Sequence, residues 1–240
     1  VINYLTKRPQ GDDNKLMKFS FGENSYKSFF IETGNWIKSD FNPEIQLLLK
    51  QGDGFRENNH FDQINTTIKF NYTASKNRTF YSKTNFNYEN SNATYTGLTQ
   101  WSYENDPTFN PKEHDSFEIK RFSTDLIFTE RINSSTVKTS KAFLSYFDRR
   151  WWREDDKFIY ASDIGMLDTM NASDIPTQQF GNYFLNDLVR IGNGESNFGI
   201  LRTFYVMGIE NHYNLDHKRL GTVYKSNGEF SSNYSNKTEI

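Results

Sequence analysis

Two consecutive segments of this chain alternate apolar and polar residues with a period of two. Most of their large apolar side chains fall at even positions, namely Ile64, Ile68, Phe70, Tyr72, Phe80, Phe86 and Tyr88. Most of the odd positions are polar, as in Asn65, Thr67, Lys69, Asn71, Lys83, Asn85 and Asn87. Because successive side chains of a strand point to opposite faces, this pattern predicts a hairpin that turns at residues 74–77, with one apolar and one wet face.

Strand patterns recur along most of the chain. Aromatic residues make up 17% of the sequence, with 22 Phe and 14 Tyr, and such residues favour strands. A first hairpin is predicted from residues 16–22 and 27–38, and a further strand from residues 44–50. No stretch approaches the roughly 18 to 20 consecutive apolar residues that a membrane-spanning helix needs. The sequence therefore predicts an all-β antiparallel protein, and periodicity alone leaves a soluble sandwich and a transmembrane β-barrel both open.

Composition excludes several classes of function. Lys and Arg number 28 against 30 Asp and Glu, and the resulting net charge of −2 argues against a nucleic-acid partner. The chain has no cysteine, which excludes disulfides, thiolate-bound metals and thiol catalysis. Its four histidines are scattered, and no metalloprotease, serine-hydrolase or phosphate-loop motif occurs. We therefore expect no enzyme activity, no metal site and no covalently bound cofactor.

The lengths of the predicted connections favour the barrel. Tight connections are expected near Glu23, near Ala74 and at residues 133–135, whereas long ones are expected at residues 52–60, 95–120 and 155–197. Short turns at one end and long loops at the other are typical of outer-membrane barrels. Long connections without regular structure are uncommon in compact domains unless they are functional. The alternative is a secreted all-β module that binds carbohydrate or another ligand through exposed aromatic residues.

Three segments, in this order along the chain, resemble TonB-dependent outer-membrane receptors of the ferric dicitrate type. Residues 1–9 (VINYLTKRP) are similar to the junction between the plug domain and the first barrel strand. Residues 97–107 (GLTQWSYENDP), continuing through residues 110–115 (NPKEHD) to Arg121, are similar to a loop of these receptors. Residues 201–213 (LRTFYVMGIENHY) are similar to a barrel strand that carries a Gly-Ile-Glu core.

The resemblance implies a fragment of a larger transporter. Residues 1–10 would be the end of the plug domain, and residues 11–240 about nine strands of a plugged barrel of about 22 strands. Such a receptor would lie in the bacterial outer membrane, in contact with its lipids. It would import a ferric chelate, either citrate-type or a siderophore, when the TonB complex pulls on the plug. A plugged receptor for a ligand without iron is a variant of this hypothesis.

Candidate ligand-binding residues come from two strand segments and one loop. Arg202 keeps a basic position of the family's strand, whereas Met207 and His212 stand where that strand carries arginines, so the resemblance leaves the identity of the chelate open. We include His212 among the candidates. Loop aromatics and amides are plausible binding groups, and the predicted loop supplies Gln100, Trp101 and Tyr103.

A cluster of arginines surrounds the Trp151-Trp152 pair where a predicted strand enters a long loop. Arg149, Arg150 and Arg153 could form a rim that binds an anionic chelate, because guanidinium groups pair with carboxylates through two hydrogen bonds. The alternative is that they lie at a membrane interface, where Trp and Tyr are enriched and arginines contact lipid phosphates. The acidic run at residues 154–156 follows directly, and could be either a calcium site or a solvated loop.

Overall fold

A computed structural model of the chain describes residues 6–9, 14–36, 40–92, 94, 96–166, 168–175, 187–196, 198–215 and 234–239. Within these residues, nine antiparallel strands form one sheet and lie side by side in chain order. They are β1 (Asn14–Phe21), β2 (Lys27–Gly34), β3 (Phe41–Gly52), β4 (Phe61–Ser75), β5 (Arg78–Ser91), β6 (Ser116–Arg131), β7 (Thr136–Arg153), β10 (Phe198–Leu215) and β11 (Tyr234–Glu239). Two short strands, β8 (Lys157–Tyr160) and β9 (Leu188–Ile191), pair with each other within the connection from β7 to β10.

The main sheet has one apolar face, as the alternation predicts. Cross-strand register aligns Ile45 with Ile68, and Phe122 with Tyr146. Large apolar side chains on this face are exposed; Ile68, for example, is 47% exposed and Ile209 63% exposed. An aromatic row near one end of the strands consists of Phe41, Tyr72, Phe80 and Phe128. Nothing in the described part of the chain covers this apolar face.

The opposite face of the main sheet is polar and hydrogen-bonded. Lys69 of β4 donates to the carboxylate of Glu44 on β3 at 2.5 Å, and both side chains are buried. Asn85 of β5 donates to Asn65 and Thr67 of β4 at 3.1 and 2.9 Å. Cross-strand polar pairs of this kind stabilise a sheet face that has no hydrophobic core above it.

The buried apolar residues lie mostly outside the main sheet. Among the described residues, Tyr81 is the one buried hydrophobic residue that belongs to it. The others lie in the connection from β7 to β10, and they are Phe158, Ile159, Ile175, Leu188 and Val189. The long connection predicted at residues 155–197 therefore contains regular structure, because the short apolar runs of β8 and β9 pair around this small core.

The connections alternate between the two ends of the sheet, and one assignment from the sequence was wrong. Residues 76–77 and 132–135 make short turns at one end, which we call the short-turn end. Residues 53–60, 92–115 and 154–197 connect strands at the other, the long-loop end. The tight turn near Glu23 lies at the long-loop end, because β1 reaches that end at Phe21. This turn is tight because Asn24 and Ser25 both adopt positive φ, as a type I′ turn requires.

Strand boundaries differ from the predicted ones by a few residues. β2 ends at Gly34, because Asn35 adopts a φ of 57° and leaves the extended conformation. The helices in the described ranges are short, and none is long and apolar enough to cross a membrane. The longest is α1 (Gln100–Asn105), which is capped by the side chain of Thr99.

Candidate functional site

The N-terminal segment of the described chain lies against the polar face of the sheet. Lys83 of β5 donates to the hydroxyl of Thr6 at 2.9 Å, and the guanidinium of Arg8 lies 4.7 Å from the ring centre of Tyr81. Pro9 is buried. Residues 1–5 and 10–13 lie outside the described residues, so the assignment of residues 1–10 to a plug domain stays a prediction. The contacts place residues 6–9 over strands β4 and β5.

Arginines and aromatic residues alternate on the polar face near the long-loop end. We call Arg121, Arg149, Arg153 and Arg202 the arginine wall; they lie on the neighbouring strands β6, β7 and β10. Arg121 lies 5.0 Å from the ring centre of Phe147, and Arg153 lies 5.2 Å from those of both Trp151 and Phe198. Cation–π contacts of this kind hold guanidinium groups over aromatic rings. Two of the predicted site residues, Arg149 and Arg202, therefore belong to one surface.

Two positive charges face each other directly in this wall. Arg149 of β7 and Arg202 of β10 are register partners. Like charges at such positions destabilise a sheet, because their Cβ atoms lie only about 5 Å apart. Within the described ranges, neither arginine forms an ion pair with a carboxylate, and the buried Nε of Arg149 has no hydrogen-bond partner. A bound anion would relieve this repulsion and supply the missing acceptor.

Arg150 does not belong to the arginine wall, and its grouping with Arg149 was wrong. Successive residues of a strand point to opposite faces, so Arg150 lies on the apolar face of β7. There it pairs in register with Glu118 and Leu201. Its Nε donates to Asp148 at 3.3 Å. The two interpretations of the cluster thus divide between the faces, with Arg149, Trp151 and Arg153 on the polar face and Arg150 and Trp152 on the apolar face.

His212 shares the polar face with Arg202 but lies far from it. The two residues are ten positions apart on β10, which at about 3.3 Å per residue separates them by roughly 33 Å. His212 pairs in register with Thr139 near the short-turn end, and its Nε2 lies 3.6 Å from Glu210. Its role in binding stays a prediction, but at this distance it cannot contact the same part of a ligand as Arg202.

Gln100, Trp101 and Tyr103 occupy the short helix α1 in the connection from β5 to β6. The amide of Gln100 donates to Glu104 at 2.5 Å, and the carbonyl of Trp101 accepts from Asn105. Tyr103 is 66% exposed. The helix places all three at the long-loop end of the sheet, where the arginine wall also lies. Their role in binding stays a prediction.

Hydrogen bonds join the connections at the long-loop end into what we call the loop cap, the described residues of 22–26, 53–60, 92–115 and 154–196. The amide of Asp53 donates to the carbonyl of Asn24 at 2.8 Å. Arg56 donates to the carbonyl of Thr96 at 2.7 Å, and Asn58 donates to that of Glu113 at 2.8 Å. Each of these bonds links two different connections, so the cap is continuous from residues 22–26 through residues 53–60 to residues 92–115.

Glu154 is the centre of the next junction in the loop cap. Its buried carboxylate accepts from the backbone amides of His114 and Gly194, both at 2.7 Å. Its carbonyl accepts from the ammonium of Lys112 at 2.7 Å, and its amide donates to Asp115 at 2.9 Å. Glu154 is only 1% exposed. The interpretation of residues 154–156 as a solvated run was therefore wrong for Glu154, although Asp155 and Asp156 are exposed.

His60 of the loop cap links two carboxylates, one in the cap and one at the start of β4. Its Nδ1 lies 3.2 Å from Asp53 and its Nε2 lies 2.8 Å from Asp62. These hydrogen bonds, to Asp62 first and then to Asp53, raise the pKa of His60 above its usual value. Hydrogen bonds from Ser25 and His60 lower the pKa of Asp53. In the part of the chain described, no group of three or more metal-ligating side chains is arranged to hold a metal ion.

Comparison with solved structures identifies this architecture. The ferric citrate transporter FecA, in its unliganded form, matches 89% of this chain over 28% of its own length, with 14% identity and a TM-score of 0.62. The ferric-catecholate import receptor Fiu of E. coli K12, in its open form, matches 90% of this chain over 33% of its own length, with 11% identity and a TM-score of 0.64. The chain therefore has the fold of part of these two proteins.

The match is one of fold and not of sequence. No protein-family model and no curated protein matches the chain. The chain spans about a third or less of the length of FecA and Fiu. Its fold class is that of an all-β barrel fragment, with the strands in meander order and the connections of residues 53–60, 92–115 and 154–197 at one end.

Proposed function

We propose that this chain is part of a TonB-dependent receptor that imports a ferric chelate across the bacterial outer membrane. Likeness of fold to a ferric citrate transporter and a ferric-catecholate receptor supports a role in uptake. The three sequence segments that resemble the receptor family support it independently. The exposed apolar face of the sheet favours a membrane-embedded wall over a secreted module, because monomeric soluble proteins rarely expose a continuous apolar surface of this kind.

The arginine wall is the observation that carries the choice of ligand. In a barrel whose apolar face meets lipid, the polar face lines the lumen, so the wall would face the ligand path below the long loops. Arg149 and Arg202 oppose each other without a carboxylate partner among the described residues. Carboxylate or catecholate oxygens bound to iron would pair with these guanidinium groups, and aromatic rings between them would pack against the organic part of the chelate.

Direct binding tests this proposal on the full-length protein that contains this chain. Ferric citrate and a ferric catecholate are added separately to the purified receptor. Binding of each chelate is measured by the quenching of tryptophan fluorescence. We expect Arg149→Gln and Arg202→Gln to weaken binding of the preferred chelate at least 10-fold each, because each removes one or two charge-assisted hydrogen bonds. Arg150→Gln, on the opposite face of the same strand, is the matched control and should leave the affinity unchanged.

Three outcomes would contradict the proposal. Binding of the preferred chelate that is unchanged in both the Arg149 and Arg202 variants would separate the arginine wall from the ligand. Failure of both chelates to bind, together with unimpaired growth of a deletion strain under iron limitation, would favour a receptor for a ligand without iron. A stable, water-soluble monomer of the full-length protein would remove the membrane proposal altogether.

A further inference from the structure

Four charged residues form a compact group on the apolar face. We call Glu118, Lys120, Asp148 and Arg150 the outer charged cluster; they lie on strands β6 and β7 near the long-loop end. Register places Lys120 opposite Asp148, and Glu118 opposite Arg150. The next position toward the middle of each strand on this face is aromatic, namely Phe122 on β6 and Tyr146 on β7. The cluster therefore lies directly at the edge of the exposed apolar band.

The acidic members of the cluster are the more buried and hold the basic members in place. Asp148 is 9% exposed in its side chain; it accepts from Arg150 at 3.3 Å and from the hydroxyl of Thr203 at 2.8 Å. Glu118 is 29% exposed and accepts from Lys120 at 2.8 Å. The basic side chains extend further, since Lys120 is 45% and Arg150 58% exposed. The surface of the cluster is thus cationic, although its formal charges cancel.

The position of this cluster sets the chemistry of its partner. Ion pairs exposed to this degree contribute little to stability on their own. Charged side chains on the lipid side of a barrel are tolerated near the interface, and not at the midplane. At an interface the available anions are the phosphates of lipid head groups, and a guanidinium beside an ammonium matches such a group. Exposed apolar side chains next to the cluster, such as Tyr205, would contact the acyl chains.

We propose that the outer charged cluster binds the phosphate group of a membrane lipid in the leaflet at the long-loop end. Arg150 and Lys120 hold the phosphate, while Asp148 and Glu118 orient them. This inference depends on the proposed membrane location but not on the identity of the transported ligand. It also gives Arg150 a role on the face opposite to that of Arg149.

The test uses the full-length protein in mild detergent micelles of uncharged head group. Phosphatidic acid and diacylglycerol with the same acyl chains serve as matched probes, because they differ only in the phosphate. Native mass spectrometry measures the fraction of protein with bound lipid at each lipid concentration. We expect phosphatidic acid to bind and diacylglycerol to bind at least 10-fold more weakly. Arg150→Gln combined with Lys120→Gln should weaken phosphatidic acid binding roughly 10- to 100-fold.

Control variants keep the result independent of folding and of the transport proposal. Arg150→Lys combined with Lys120→Arg retains both cations and should retain the lipid. Arg149→Gln should retain the lipid while losing chelate affinity, whereas the Arg150 and Lys120 double variant should do the reverse. If the Arg150 and Lys120 double variant left lipid binding unchanged while Arg149→Gln still weakened chelate binding, only this inference would be refuted. If Arg149→Gln left chelate binding unchanged while the double variant still weakened lipid binding, only the proposed ligand site would be refuted.

Three results would overturn the inference. Equal binding of phosphatidic acid and diacylglycerol would show that the phosphate is not recognised. Full retention of phosphatidic acid by the Arg150 and Lys120 double variant would place its site elsewhere. Displacement of the lipid by millimolar inorganic phosphate would assign the cluster to a free anion and not to a lipid.

Discussion

Removal of the Glu154 carboxylate should loosen the loop cap without unfolding the sheet. The change Glu154→Ala leaves two backbone N–H groups, those of His114 and Gly194, without the acceptor that each has at 2.7 Å. An unsatisfied buried donor costs about 1–3 kcal/mol. Because both groups are only partly buried, we expect a loss near the lower part of that range for each. The local stability of the junction should then fall by about 2–4 kcal/mol in total.

Hydrogen–deuterium exchange measures this loss directly. At 1.4 kcal/mol for each factor of ten, the amides of His114 and Gly194 should exchange roughly 30- to 1,000-fold faster in the variant. Amides of β6 and β7 far from the junction should keep their rates and serve as an internal reference. Gly192→Ala should produce the same pattern, because a Cβ at Gly192 would lie only 2.1 Å from Oε2 of Glu154 and would displace the carboxylate.

The control for this experiment lies in the same loop. Glu195 is exposed and forms no hydrogen bond or ion pair with another described residue, so Glu195→Ala removes an equal charge without removing an acceptor. Unchanged exchange at His114 and Gly194 in Glu154→Ala would refute the assignment of Glu154 as the centre of the junction. Equal acceleration in Glu195→Ala would attribute the effect to net charge.

Three further predictions concern the sheet and the loop cap. Lys69→Met should lower the free energy of unfolding by about 3–5 kcal/mol in urea titration, because it leaves the buried Glu44 carboxylate without its cationic partner. Adding Glu44→Gln should recover most of the loss, and equal stabilities of the wild type and the Lys69→Met variant would count against a buried pair. Gly208→Val should lower the free energy of unfolding by about 1–3 kcal/mol in the same assay, since a Cβ there would lie 2.6 Å from the Phe143 ring. Gly97 has open space around it, so Gly97→Ala should be neutral, and similar losses in both variants would exclude the steric clash as the cause. The pKa of His60 is raised, so its contribution is complete below the unfolded value of about 6.5 and is lost as pH rises through the folded value. The pKa of Asp53 is lowered, so its contribution is lost as pH falls through the folded value. The protease resistance of residues 53–60 should therefore be greatest at pH values between the pKa of Asp53 and that of His60. A protease resistance that does not vary with pH, and that His60→Gln does not change, would contradict this prediction.

The sheet could be predicted from the sequence because its information is local. Side chains two positions apart share a face, so the even positions of residues 64–72 and 80–88 identified the apolar face directly. The same rule would have separated Arg149 from Arg150, but the grouping around the Trp151-Trp152 pair was made by closeness in sequence. His212 illustrates the complementary limit, since its face follows from parity while its distance from Arg202 depends on the length of β10.

The loop cap could not be predicted in this way because its bonds join distant positions. Lys112 and Glu154 are separated by 42 positions, and a lysine and a glutamate in polar segments give no signal that they will be buried together. The fixed ends of β5, β6 and β7 bring the two connections to the same end of the sheet, and only then can the carboxylate meet its donors. A hairpin of β8 and β9 was detectable in principle, since residues 157–160 and 188–191 are short apolar runs between turn residues.

The pleat of β7 gives two consecutive arginines different partners. Arg149 faces a second arginine, Arg202, and has no carboxylate partner in the described ranges, whereas Arg150 is held by Asp148 at the edge of the apolar band. A site that must bind and release an anionic cargo benefits from cations without permanent partners, because an internal carboxylate would compete with the cargo. A contact with lipid has the opposite requirement, since a fixed cation at an interface must remain satisfied when no lipid occupies it. The difference in pairing between these neighbours therefore matches the two roles proposed for them. If Arg149→Gln weakened lipid binding and Arg150→Gln weakened chelate binding, both assignments would be refuted at once.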